Sequence, residues 1–523
     1  MKTRLVVVTM LILLLVSSLA GASESVIRFN LGPEPQSFDP ALTMGSTEGT
    51  VLVNLFEGLT RLDENHEPQP GMASRWEISD DGKIYTFYLR EAYWSNGDRV
   101  TAHDFVYAWL RVLDPETAAP YAYNLYYLVN AVAYNSGELT DVTAVGVRAL
   151  DDYTLQVELI APTPYFLSLT AFPVYMPVNP RVVETDPDWA LKPDSLVTNG
   201  PFLLTEWSHG SRLELRSNPY YWDEVHIDGL VFTMIEASDT ELIMFETDQL
   251  DITSTVPRAQ LSRLRAAGFL KTAPILANYY YIFNVNVPPL DDVRVRQALS
   301  MAIDRESITE YVTQAGEIPA FAFIPPGIPH PQGSDFRALG GDLLIEDVDK
   351  ARQLLAEAGY PNGEGFPKLE IIYNTFDLHR AIAEVIQEAW RTNLGIEVSL
   401  VNQEWMAYLN RRFQGDFQIA RAGWNGDYLD PLTFMDMYIS DEANNHSGWS
   451  NQRYDELIQL AKTTTDPLER VAYLHEAEAI IMEEMPVMPI YFYVEPYLQK
   501  DHIQGVIRSL YGFVDFKGAR VTN

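Results

Sequence analysis

Leu369-Glu370-Ile371-Ile372-Tyr373, an apolar stretch of strand character, is followed by an amphipathic run from Leu378 to Asn393, by Gly395, and by Ile396-Glu397-Val398-Ser399-Leu400-Val401. Strand, helix, glycine stop and second strand make a βαβ unit. Parallel strands need a long crossover, usually a helix, so this order predicts a parallel pair inside an α/β fold. A further strand-like stretch, Phe417 to Ala422, comes next. In open α/β sheets ligands settle beyond the carboxyl ends of the strands, which singles out the residues after 373, 401 and 422.

Working outward, residues 83–90 alternate like a half-buried strand after an Asp81-Gly82 turn, and Asn96-Gly97 marks a second turn. The pair Asp80-Asp81 beside that glycine is read as shaping the turn rather than as acid–base machinery. Thr101 and Asp104 have capping-box spacing ahead of a helical run from Phe105 to Val112. Val295, Ala298, Leu299, Ala302 and Ile303 recur at helical spacing after Asp291-Asp292, whose charge suits a helix amino end. A helix from Val348 to Ala358 is expected to stop at Gly359, with Pro361 preventing its continuation.

The chain begins with Lys2 and Arg4, an apolar run from Leu5 to Val16, and small residues ending in Ala20-Gly21-Ala22. That pattern predicts a secretory signal peptide over 1–22, cleaved after Ala22. Its apolar core is shorter than the roughly 20 residues a membrane span needs. There is no cysteine, so neither disulfides nor a lipoprotein thiol is possible within these 523 residues, and a free periplasmic protein is expected. The formal charge of -35 makes nucleic acid an unsuitable partner. Such an acidic surface is read first as a source of solubility, with long-range attraction of cationic solutes as the alternative reading.

Arg421-Ala422-Gly423-Trp424-Asn425-Gly426-Asp427-Tyr428 places a cation, a glycine-flanked tryptophan and a carboxylate beyond the third strand. An amphipathic ligand with charged ends would suit them: Asp427 for an ammonium, Arg421 for a carboxylate, Trp424 for an apolar wall. An internal Arg421–Asp427 ion pair beside a core tryptophan is the competing reading, and spacing alone favours it. Trp405 lies beyond the second strand, either in a crevice or in the core. His379 lies beyond the first, at a helix start. The patterns of zinc proteases, serine-hydrolase elbows, phosphate loops and cysteine nucleophiles are all missing.

Several motifs resemble the periplasmic oligopeptide-binding proteins of ATP-driven importers, within the cluster of peptide, dipeptide and nickel binders. General markers are Ser37-Phe38-Asp39-Pro40, Leu55-Phe56-Glu57-Gly58-Leu59, Trp94-Ser95-Asn96-Gly97, Asn199-Gly200-Pro201-Phe202 and Asp292-Val293-Arg294-x-Arg296-x-Ala298. More discriminating are Tyr373-Asn374-Thr375-x-Asp377-Leu378-His379, Val401-Asn402-Gln403-Glu404-Trp405 and Arg421-Ala422-Gly423-Trp424-x-x-Asp427-Tyr428, similar to the oligopeptide branch. The resemblance implies that Asp427 receives a peptide's α-ammonium and that Trp405 and Trp424 wall side-chain pockets, with Gly423 and Asn425 beside them. By the same resemblance Arg421, Arg412 and His379 meet the carboxyl ends of peptides of different lengths, and Tyr121 and Tyr493 contact the ligand backbone. Where relatives carry an acidic groove residue this chain has Met44, followed by Gly45 and Ser46, which makes an apolar preference plausible at that wall.

The resemblance further implies an α/β fold of the periplasmic-binding-protein type (class II, cluster C), with two main lobes closing on a ligand and an extra inserted lobe. Expected boundaries are 23–56 with 180–276 and 495–523 for lobe I, 57–179 for the inserted lobe II, and 277–494 for lobe III. The implied function is capture of short peptides by termini and backbone for a membrane permease of an ABC transporter, by a monomer, with no cofactor, metal or catalysis. Binding of another solute, such as an oligosaccharide, a nickel chelate or a cell-wall peptide, is the alternative, and an exported peptidase a more distant one.

Overall fold

A computed structural model of the chain describes residues 24–42, 45–440, 442 and 444–522. The expected signal peptide and Met44 lie outside the described residues. No helix among the described residues is long and apolar enough to cross a membrane.

Three sheets organise the chain. In the first, Val26–Asn30 pairs in parallel with Gly229–Thr233, which continues antiparallel to Arg212–Ser217 and then Phe202–Ser208. The second is wholly antiparallel, in the order Ala73–Ile78, Ile84–Leu89, Thr154–Glu158, Val147–Asp151. Its strand Ile84–Leu89 buries Tyr85, Phe87 and Leu89 and turns the residues between them outward, the alternation read from the sequence. One hydrophobic core runs through both sheets, joining Phe29, Leu215 and Phe232 to Phe87, Trp109 and Leu155.

The third sheet has six strands in the order Ile318–Pro319, Val487–Tyr497, Lys271–Phe283, Ile419–Asn425, Leu369–Asn374, Val398–Gln403, and it builds a separate core. Leu369–Asn374 is parallel to both Val398–Gln403 and Ile419–Asn425, so the expected βαβ unit is present and a third parallel strand lies beside it. The connecting helix Asp377–Leu394 buries Leu378, Ile382, Ile386, Trp390 and Leu394 along one stripe. Trp390 is fully buried and donates its indole N–H to the Leu299 carbonyl at 2.8 Å. Gly395, at φ 71°, ends the helix in the left-handed conformation that a side chain would resist.

Local stop signals act as the residues dictate. Thr101 and Asp104 form a reciprocal capping box on the helix Ala102–Leu113, and Asp104 also accepts from the Trp94 indole at 3.1 Å. Asp292 caps Val293–Met301 by accepting from the Arg294 N–H. The helix Val348–Glu357 ends before Gly359, whose φ is 100°.

The two cores meet at few places. The long strands Lys271–Phe283 and Val487–Tyr497 pair antiparallel, with register shifts near Pro274, which has no N–H to donate. Tyr165 stacks face to face on Tyr428 at 4.6 Å, and each packs against both cores.

Candidate functional site

The three parallel strands end on one edge of the large sheet. His379 follows the first in the opening turn of its helix, Trp405 opens the helix Trp405–Phe413 after the second, and Arg421 to Asp427 span the end of the third. Alternation along Ile419–Asn425 puts Arg421, Gly423 and Asn425 on one face and Trp424 on the other. Arg421 pairs in register with Tyr281, and Gly423 with Tyr279.

Arg421 donates from Nη2 to the Tyr493 hydroxyl at 3.0 Å, and its guanidinium lies 4.5 Å from the centroid of the Tyr279 ring. Its buried Nε has no partner, and no carboxylate pairs with it among the described residues. A Cβ on Gly423 would meet the Asn278 carbonyl at 3.0 Å, Arg421 Nη2 at 3.5 Å and the Tyr493 hydroxyl at 3.7 Å. The tight contact is with the Asn278 carbonyl of the paired strand, so the lack of a side chain at Gly423 permits close backbone approach next to the place where the arginine and tyrosine meet.

His379 joins this group through a 3.2 Å contact between its Nδ1 and the Tyr279 hydroxyl, and Tyr279 stacks on Tyr491 at 4.7 Å. The imidazole is 6% exposed. Burial, then the nearby Arg421 and Arg258 guanidiniums, push its pKa down to about 3. It is neutral at physiological pH and can offer a hydrogen bond but no charge.

Asp427 lies past the strand end, its N–H donating to the Thr433 hydroxyl at 2.9 Å. Its carboxylate opens on a cavity of about 390 Å³ lined also by Ser46, Tyr121, Tyr123, Asn425 and Glu495. It forms no ion pair among the described residues, and burial raises its pKa above the ordinary carboxylate value. The internal Arg421–Asp427 pair that spacing favoured is not formed. Each charge is left for something else.

The remaining candidates are placed less centrally. Trp424 packs against the large core, with an indole N–H that is buried and unpartnered. Trp405 is 47% exposed and stacks on Tyr408 at 5.9 Å, so it does not belong to the core. Arg412 donates from Nε to His446 Nδ1 at 2.7 Å and is not joined to the Arg421–Tyr493–His379 group. Tyr121 meets Phe172 edge-on at 5.6 Å, and both line the cavity. No group of three or more His, Asp or Glu side chains among the described residues is arranged to hold a metal ion.

Sequence reasoning missed Tyr279, the ring on which Arg421 and His379 converge. The run Asn278-Tyr279-Tyr280-Tyr281 carried a signal, since successive tyrosines must face opposite sides of a strand. It also missed Glu495, and it missed Arg258, whose guanidinium stands 5.9 Å from the Phe376 ring and pairs with no carboxylate among the described residues.

Comparison with known proteins gives the family of the chain. The dipeptide-binding protein DppE of Bacillus subtilis (strain 168) is 40% identical over 503 residues, 95% of this chain and 92% of the relative. The periplasmic murein tripeptide binding protein MppA in its unliganded open form superposes with a TM-score of 0.86 at 36% identity, covering 96% of this chain and 98% of that one. Haemophilus influenzae OppA in complex with RPPGFSPFR superposes at 0.68 and 34% identity, covering 96% and 100%. The overall shape is thus nearer the open form than the peptide complex. Residues 67–446 match the bacterial extracellular solute-binding proteins, family 5 middle. The chain belongs to the bacterial extracellular solute-binding proteins of family 5.

Proposed function

We propose that this protein captures short peptides by their termini and backbone in the periplasm, does no chemistry on them, and delivers them to the permease of an ABC importer. The observation that carries this reading is the pair of opposite charges at one end of one strand, neither with a charged partner among the described residues: Asp427 for the α-ammonium and Arg421 for a carboxylate. A binder that must accept many sequences does best to spend its directional contacts on what all peptides share. Two termini and a backbone are those features. Charge-assisted hydrogen bonds supply the anchoring, and water fills pockets that varied side chains leave partly empty.

In this reading lobe I comprises 23–56, 180–276 and 495–523, lobe II is the insert 57–179, and lobe III is 277–494. The paired long strands between the two cores serve as the hinge about which the monomer closes. A signal peptide over 1–22 directs export. The lack of any cysteine in the sequence supports a protein without a lipid anchor.

Calorimetry with matched tripeptides tests the reading. Unmodified Ala-Ala-Ala should bind, and its N-acetylated form should lose about 2–5 kcal/mol, the scale of stripping one partner from a desolvated charge pair. Equal binding of the two would remove Asp427 from the proposed role. Mass spectrometry after prolonged incubation should recover the bound peptide intact, and cleavage products would overturn the non-catalytic assignment.

A further inference from the structure

Glu495 shares the cavity of Asp427 but belongs to a distant part of the chain, on the strand Val487–Tyr497 opposite Ala273. The two acids are the only charged side chains lining that cavity among the described residues, and no lysine or arginine accompanies them. Arg508 holds one oxygen of Glu495, donating from Nη1 to Oε2 at 3.0 Å. Arg508 is itself fixed: Nη2 donates to the Thr253 carbonyl at 2.8 Å, and the guanidinium covers the Tyr497 ring at 3.8 Å. Glu495 Oε1 accepts no hydrogen bond among the described residues, and the side chain keeps 29% of its surface exposed.

One carboxylate suffices for one α-ammonium. A second, held in place by a buried arginine and carrying a free oxygen beside aromatic walls, describes a receptor for a second cation. Tyr121, Tyr123 and Phe172 line the same space and suit the methylenes of a long basic side chain, with π-faces for its charged end. Burial raises the pKa of both carboxyls, Glu495 despite Arg508, so each gains from a cation brought by the ligand.

We propose that Glu495 is a specificity-determining residue that makes the cavity beside Asp427 prefer a lysine or arginine side chain near the amino end of the bound peptide. This rests on the peptide-capture reading above. The test is calorimetry of the full exported protein with Lys-Ala-Ala and with norleucine-Ala-Ala, which keeps the apolar stem without the charge. Wild type should favour the lysine peptide by about tenfold, the effect of one favourable charge contact. Glu495→Gln should bring that ratio towards one, and Glu495→Asp, which keeps the charge but withdraws it by one methylene, should retain part of it and stands in should the glutamine variant not fold. Equal affinity of the two peptides for wild type, or a ratio unchanged in Glu495→Gln, overturns the inference while leaving peptide capture intact. If neither peptide binds wild type, peptide capture fails, and this inference with it.

Discussion

Asp427 carries a charge that finds no ion-pair partner among the described residues, and that cost is measurable. Its pKa is raised in the folded protein, so above that pKa the ionised carboxylate destabilises the fold relative to the unfolded chain. Asp427→Asn should raise the melting temperature of the ligand-free protein at neutral pH. The gain should shrink as pH falls through the raised pKa, because the wild-type side chain then becomes neutral too. The same substitution should weaken binding of a free-amino peptide, so stability and affinity move in opposite directions; a lower melting temperature at neutral pH would show that the carboxylate is compensated. Gly423→Val makes a second residue-scale test. Its side chain would press on the Asn278 carbonyl of the paired strand and crowd the space beside Arg421 and Tyr493, so peptide affinity should fall by about tenfold or more and the melting temperature should fall as well. Asp427 and Arg421 were legible in the sequence as types of residue at a strand end. Tyr279 and Glu495 were not, because they reach the same space from segments far away in the chain, and no periodicity brings such segments together. The side on which Trp424 falls was implicit in its spacing from Arg421 and Gly423, yet a string of residues does not say which face of a strand is the cleft.

Helix ends were read correctly because their causes are local. The Thr101–Asp104 box, the Asp292 cap and the Gly395 stop each satisfy or release backbone groups within a few residues, and that information is contiguous. The parallel character of Leu369–Asn374 and Val398–Gln403 was legible for the same reason, through the helix that must connect them. Pairing between Lys271–Phe283 and Val487–Tyr497 was not, since some two hundred residues separate them and nothing in either stretch specifies the other. The joint core of the first two sheets was hidden likewise, since its members come from segments far apart in the chain. Thr101→Ala tests the element scale: losing the cap should cost about 1 kcal/mol in denaturant unfolding. Peptide affinity should be unaffected, because the box sits on the helix Ala102–Leu113 and outside the cavity. A loss of affinity there would couple the inserted sheet to the site.

At the scale of the whole molecule, the charges of Asp427 and Arg421, unpaired among the described residues, and the closer superposition on an unliganded open form fit a common physical cause. Bringing the two cores together without a ligand would take Asp427 and Arg421 further out of water with no opposite charge to receive them, and desolvating an uncompensated ion is costly. In the proposed binding mode a peptide would bring an ammonium to one and a carboxylate to the other, so the same closure would become favourable only when ligand is present. Ligand affinity for the closed state then shifts the population, and no further trigger is required. Small-angle scattering should show the radius of gyration of wild type falling when a tetrapeptide is added. The sharper expectation concerns the ligand-free double variant Asp427→Asn/Arg421→Gln, in which the desolvation cost of closing is largely removed. Its scattering should lie closer to that of peptide-bound wild type than to that of free wild type. If the double variant instead remains as extended as free wild type, the charges do not hold the cleft open. The resistance would then lie in the contacts between the two cores, with the Tyr165–Tyr428 stack the first to break by Tyr165→Ala.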